Sequence, residues 1–181
     1  MPLERYWRHS VLTGVLARNL ARKGGLPQPE RSFVAGLLHD VGSPAIFTRV
    51  PHLAHTIDVS SEQALHAAEQ TLLGYTHADV GARLLESWQL PIEISEAIAS
   101  HHEPFAVQGV TEPEVLKLAE ALVNAAPDFA FFAVGEKPGP TGPADLLIER
   151  TRTVVGDDPE VILAEGIRDT GNLLDSLLGA I

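Results

Sequence analysis

The 181-residue sequence predicts an all-α fold. Apolar residues recur at three- and four-residue spacing along most of the chain, as Leu12, Leu16 and Leu20 do, and this is the period of an amphipathic helix. Glycine or proline follows these stretches and indicates where the helices end. No stretch alternates apolar and polar residues convincingly, as a half-buried strand would. We therefore expect a single helical domain over residues 1–181.

Helices in the first third of the chain are recognised by their ends. The first helix carries the leucine series and ends at the glycine pair Gly24–Gly25. A second helix is expected from about Pro29 to Asp40, with its apolar side buried. The segment VGSPAIF after it predicts a turn, and residues 49–58 predict a loop or a broken helix around a proline.

Capping residues locate the helices in the middle of the chain. A serine at position 60 or 61 can cap a helix that ends at Gly74, and Thr76 can cap the next helix, HADVGARLLESW. The helix IEISEAIASHH follows and ends near Pro104. A further helix is expected over residues 113–126, with proline in its first turn.

Two helices are predicted after a loop rich in glycine and proline at about 135–143. They cover about Ala144–Val155 and about Pro159–Leu178. Two helices are too few for an independent domain, so we expect residues 144–178 to pack on the preceding helices.

The composition argues against several classes of protein. With 24 acidic and 13 basic residues, the formal net charge of −11 would repel a phosphate backbone, so we expect no nucleic-acid partner. No apolar run approaches about 18 residues. Charged residues interrupt the N-terminal segment from Glu4 onward, so we expect neither a membrane partner nor a signal peptide, and a cytoplasmic location. Cysteine is absent, so a metal would need nitrogen and oxygen ligands, which suit iron, manganese, zinc, nickel or magnesium.

Five histidines and one aspartate are expected on the inward faces of four helices. Residues three, four and seven apart share a helix face, and this spacing sets each of the six among apolar neighbours. One such histidine is more often a hydrogen-bonded core residue, but six polar groups without a shared partner would cost several kcal/mol. A divalent metal is the common partner that this pattern predicts. The candidate ligands are His9, His39, Asp40, His77, His101 and His102.

The remaining histidines fit a different environment. His66 shares its face with polar residues and is expected to be solvated, and His52 and His55 lie in irregular sequence that predicts a surface loop. Glu69 lies beside leucines, an unusual place for a carboxylate. It either caps a neighbouring helix or orients a ligand histidine, or it stands at the edge of the polar face.

The short segments around these residues resemble the HD superfamily of metal-dependent phosphohydrolases. GLLHDVG looks like its helix-ending His-Asp motif, and WRHS is similar to the segment that supplies the first histidine. THADVGARLLESWQLPIEISEAIASHHEP is similar to the HDOD branch, the HD-related output domain of bacterial signalling proteins. The resemblance covers roughly residues 4–126 and implies an all-α fold.

The resemblance also implies a centre of one or two divalent metal ions. His9, His39 and Asp40 would hold one ion, and Asp40 would bridge to a second ion held by His77 and by His101 or His102. Many HD enzymes add an aspartate on the helix after the His-His pair, and the residue best placed for that role here is Glu120 in KLAEAL.

Three positions depart from enzymes of the superfamily. Phosphodiesterases of the HD-GYP branch have a lysine after His-Asp-x-Gly, where this chain has Ser43, and their Gly-Tyr-Pro segment is missing after His102. Arg5 stands where some members place a carboxylate, one turn before the first histidine.

We therefore expect a metal-binding signal-transduction domain of the HDOD type. The first alternative is an active phosphohydrolase that acts on a nucleotide or another phosphoester, with His39 and Asp40 as catalytic residues. The second is a metal-free protein-interaction module. The partner expected is a phosphorylated small molecule or a signalling protein.

Overall fold

The computed structural model describes residues 3–52, 62–105, 109–126 and 144–178, and within these ranges all regular structure is helical. This confirms the all-α prediction. The predicted loop at 135–143 and the side chain of His55 lie outside the described residues. The helices are α1 Leu3–Lys23, α2 Pro29–Leu38, α3 Gly42–Arg49, α4 Glu62–Leu73, α5 His77–Ser87, α6 Ile92–Ala99, α7 Glu112–Asn124, α8 Ala144–Val155 and α9 Pro159–Leu178.

Helix α1 lies at the centre of the main core. Its leucine series is fully buried, as the four-residue spacing predicts, and it packs with apolar side chains of α7 and with Ile162 of α9. Farther along α9, a Cβ atom added at Gly166 would overlap the side chain of Leu16, so this glycine lets α9 lie close against α1. Asn19 also donates a hydrogen bond to Asp169 at 2.8 Å.

A second apolar cluster joins the helices that follow α1. Leu85, Ile94, Ile98 and Leu116 form its buried centre. On the surface beside it, the guanidinium of Arg31 donates hydrogen bonds to carboxylates of both α6 and α7, at 2.6–2.9 Å. The relative positions of α2, α6 and α7 are thus fixed by apolar packing and by a shared cation.

Helix α3 occupies the segment for which the sequence predicted a turn. The prediction was wrong because Gly42, Ser43 and Pro44 are common in turns but also acceptable in the first turn of a helix. Proline in that turn gives up no intrahelical hydrogen bond, since the first amides have no partner there. The helix ends where the Val50 amide donates to the carbonyl of Ile46.

Glycines allow two pairs of helices to approach closely. A Cβ atom at Gly36 of α2 would stand 2.7 Å from the Cα atom of Gly14 in α1, and one at Gly42 of α3 would overlap the carbonyl oxygen of His77 in α5. Only residues without a side chain fit at such contacts.

Among the helices described, none is long and apolar enough to cross a bilayer.

Candidate metal centre

The first group of polar residues forms where α1 meets the turn between α2 and α3. His39 and Asp40 occupy that turn, beyond the end of α2 rather than on it as the sequence predicted. The Nε2 atom of His39 lies 3.2 Å from Nε2 of His9 and 3.3 Å from Oδ2 of Asp40. All three side chains are buried, and their ligand atoms lie close enough to hold one ion.

The second group joins the start of α5 to the turn after α6. His77 is the first residue of α5, and Thr76 caps that helix as the sequence predicted. His101 and His102 follow the end of α6, where the sequence had extended the helix. Nε2 of His77 lies 2.7 Å from Nε2 of His102, and one ligand atom from each of the three histidines can face a common ion.

Asp40 lies between the two groups. Its Oδ2 atom faces His39 and His9, at 3.3 and 3.8 Å from their Nε2 atoms, and its Oδ1 atom faces Nε2 of His77 at 3.4 Å. One carboxylate thus offers an oxygen atom to each cluster of imidazoles. This is the arrangement that the resemblance implied for a bridging ligand.

Hydrogen bonds fix the orientation of three of the rings. Nδ1 of His39 lies 2.8 Å from the carbonyl oxygen of Gly36, and Nδ1 of His101 lies 2.5 Å from that of Ile98. A carbonyl can only accept, so Nδ1 carries the proton, and in the neutral ring Nε2 keeps its lone pair. Nδ1 of His77 donates to Glu69 in the same way, at 2.7 Å. The three Nε2 lone pairs therefore face the centre in the form that binds a metal.

Glu69 is a buried partner of His77. Its Oε2 atom accepts from both the backbone N–H of His77, at 2.8 Å, and Nδ1–H of the same residue. The sequence analysis expected Glu69 either to cap a neighbouring helix or to orient a ligand histidine. Both roles are confirmed, since this carboxylate caps the start of α5 and orients a candidate ligand.

Glu120 approaches the first group from α7. Its side chain is buried and its Oε1 atom lies 3.9 Å from Nε2 of His39. The four-residue spacing that placed it beside Leu116 also makes it face inward. A glutamate thus stands near His39 at the position where the resemblance implied a late carboxylate ligand.

Three buried atoms of the candidate ligands have no hydrogen-bond partner among the described residues. They are Oδ1 of Asp40, Nε2 of His101 and Oε1 of Glu120. Each such atom costs about 1–3 kcal/mol if nothing replaces the water that it lost on folding. All three are acceptors, and the facing lone pairs of His39 and Asp40 repel unless a cation lies between them. The residues present therefore fit a divalent cation.

The protonation states point in the same direction. Burial raises the pKa of Asp40, but the imidazoles of His39, His77, His9 and His102 outweigh it and bring the pKa to about 2, so the carboxyl is ionised. Burial, together with the neighbouring His77, lowers the pKa of His102 to about 2. Burial also holds the pKa of His101 well below its usual value. An ionised Asp40 together with neutral rings at His101 and His102 is the state that metal ligation requires.

The site opens to solvent beside His102, which is half-buried while the other six candidate ligands are buried. His66 lies over this opening, with its ring centroid 4.8 Å from that of His102. His66 is half-buried, so it is only partly solvated, because the face it shares with Glu69 is turned toward the site. His52 is exposed as predicted.

Tyr6, which the sequence analysis did not single out, is buried near Asp40. Its burial, and to a lesser extent the negative charge of Asp40, raises the pKa of Tyr6 to about 12.

Fold and site together define a helical bundle with a buried histidine–aspartate cluster at its helix junctions. The chain belongs to the HDOD family, since the HDOD domain model matches residues 1–104. Glu120 lies beyond the matched part.

Solved structures of related proteins support this assignment. An HDOD domain protein with unknown function from Geobacter sulfurreducens superposes with a TM-score of 0.65 at 27% identity, over 95% of this chain and 62% of that one. A "Putative signal transduction protein" from Marinobacter aquaeolei VT8 has the same TM-score at 22% identity, over 94% of this chain and 38% of that one. At that identity it shows the fold alone.

The amino-acid sequence is also similar to that of an uncharacterized protein of Treponema pallidum (strain Nichols). It is 28% identical over 149 residues, which are 80% of this chain and 28% of the relative. The chain thus spans less than two thirds of each of these three relatives.

Proposed function

We propose that this chain is a metal-binding HDOD signalling domain, in which a bound cation links several helices. The observation that carries the proposal is the convergence of acceptor atoms from five parts of the fold. They come from α1, the α2–α3 turn, the start of α5, the turn after α6, and α7. One or two cations bound by these atoms would stiffen the relative positions of the elements, and their loss would alter the surfaces of several helices.

The residues that would hold the cation fall into two sets. His9, His39 and Asp40 form the first, with Glu120 beside it, and His77, His101 and His102 form the second. Nitrogen and carboxylate ligands without sulfur suit iron, manganese, zinc or nickel, and magnesium less well because it prefers oxygen. The name of the Marinobacter aquaeolei structure, which refers to signal transduction, supports the signalling part of the proposal.

Metal content tests the proposal directly. The chain is purified without chelator, and a chelator-treated portion is dialysed against Mn²⁺, Fe²⁺ or Zn²⁺ before elemental analysis. We expect at least one ion per chain in the wild type, loss of most of it in His39→Ala, and full retention in His52→Ala, where the histidine is exposed. A wild-type chain that stays metal-free after dialysis would favour a metal-free interaction module.

A second candidate function, hydrolysis of a phosphoester, is favoured by the position of Asp40 between the two clusters. Two ions that share a carboxylate can orient a phosphate and lower the pKa of a water molecule. The described lysines do not assist, because Lys23 pairs with carboxylates of α9 and its preceding turn, and Lys117 binds Glu114 and a backbone carbonyl. The buried Ser43 replaces the lysine of HD-GYP enzymes.

A panel of nucleotides, cyclic dinucleotides and generic phosphoesters, assayed with added Mn²⁺ or Fe²⁺, separates the two functions. Hydrolysis that disappears in Asp40→Ala would establish the enzyme. Turnover that survives this substitution would come from a contaminant, and a metal-loaded chain inert toward every substrate would favour the signalling role.

A further inference from the structure

Besides Glu69, helix α4 places a second polar side chain, that of His66, beside the candidate metal centre. His66 lies one turn before Glu69, so the two residues share a helix face. The ring centroid of His66 lies 4.8 Å from that of His102 and 6.4 Å from that of His77. None of the sequence motifs around the candidate ligands includes this residue.

His66 also stands on the side from which the centre can be reached. It is half-buried, as is His102 beneath it, whereas the other ligands of that cluster are buried. A neutral imidazole in this position offers a nitrogen lone pair to a metal ion.

The separations of the rings place His66 at the edge of the second group. Its ring centroid lies as far from that of His102 as the centroid of His77 does, 4.8 Å in both cases, and 6.4 Å from that of His77. The group whose ligand atoms all lie within 4.8 Å of one another consists of His77, His101 and His102 and does not include His66. A rotation of the half-buried His66 ring about its side-chain bonds would bring a nitrogen toward that group.

We infer that His66 is a further ligand, which completes the coordination of the cation held by His77 and His102. It closes the open side of the centre, because its half-buried ring can turn toward the ion without disturbing the core. The inference rests on the proposed metal binding, and it adds a residue from a helix that otherwise only orients a ligand.

The test compares His66→Phe with the matched control His52→Phe, in which an exposed histidine receives the same substitution. Phenylalanine keeps a ring over His102 but removes the ligand nitrogen. Chelator-treated chains are titrated with Co²⁺, which reports its coordination through visible absorption, and affinity is measured by competition with a chelator. We expect at least a tenfold weaker Co²⁺ affinity and an altered absorption band for His66→Phe, with wild-type values for His52→Phe.

The possible results are distinguishable. If His66→Phe binds Co²⁺ with wild-type affinity and absorption, His66 only packs on His102 and the inference is overturned. If the wild type itself binds no Co²⁺, the proposed function fails and the inference fails with it. Circular dichroism checks that the variants are folded, and His66→Ala repeats the measurement without the bulk of a ring, so that a folding defect in one variant does not decide the outcome.

Discussion

At the scale of single residues, the candidate ligands could be predicted because their signal is local. His39, His77 and His101 each lie among apolar neighbours at helical spacing, and the burial of all three follows from that pattern. Glu69 and His66 were harder to place because their face of α4 carries both leucines and polar residues. Only the contacts of this face with His77 and His102 in the folded chain show that it turns inward, and no spacing within α4 contains that information.

The orienting role of Glu69 predicts the effect of an isosteric substitution. Glu69→Gln should weaken metal binding about 10–100-fold, because an amide accepts the two N–H groups of His77 less strongly and carries no charge to support that ligand. Competition with a fluorescent chelator measures the affinity. Glu86→Gln, on the exposed face of α5, is the matched control and should leave the affinity unchanged. Equal affinities for the two variants would show that Glu69 is only a helix cap.

At the scale of elements, the close helix contacts fix the site more tightly than the sequence revealed. The sequence indicated that small residues near His39 would let another helix approach, and Gly36 does meet α1 at Gly14. It did not reveal that α3 is a helix, or that Gly42 rests on the backbone of His77. That contact depends on two segments 35 positions apart in the chain, and only the folded structure brings them together.

Gly42→Ala should therefore separate α3 from α5. The added methyl group would overlap a backbone carbonyl, which cannot move aside as a flexible side chain can, and overpacking of this kind costs about 1–3 kcal/mol. We expect the free energy of unfolding to fall by that amount in urea titrations, and metal affinity to fall with it. Gly171→Ala in α9 meets no neighbouring atom and should be neutral or slightly stabilising. A Gly42→Ala chain as stable as Gly171→Ala would contradict the close packing.

At the scale of the whole molecule, the buried histidines make the metal-free chain sensitive to acid. The folded-state pKa values of His101 and His102 lie below the ordinary value near 6.5, so the unfolded chain takes up protons that the folded chain refuses. The free energy of unfolding is thus highest above about pH 6.5 and falls as the pH decreases below it. The depressed pKa of Asp40 acts in the same direction at lower pH, since its contribution is lost as the pH falls below about 4 toward 2.

Urea titrations of the chelator-treated chain between pH 7.5 and 5 measure this dependence. Well below pH 6.5, one histidine with a strongly depressed pKa contributes a slope of about 1.4 kcal/mol per pH unit. His102→Asn removes one titrating group and should flatten the curve by about that amount, while His52→Asn, at an exposed position, should leave it unchanged. Saturating metal should make the loss of stability steeper on acidification, because protons and the cation compete for the same nitrogens. A wild-type curve that stays flat down to pH 5 would mean that the imidazoles of this centre take up protons as readily in the folded chain as in the unfolded chain.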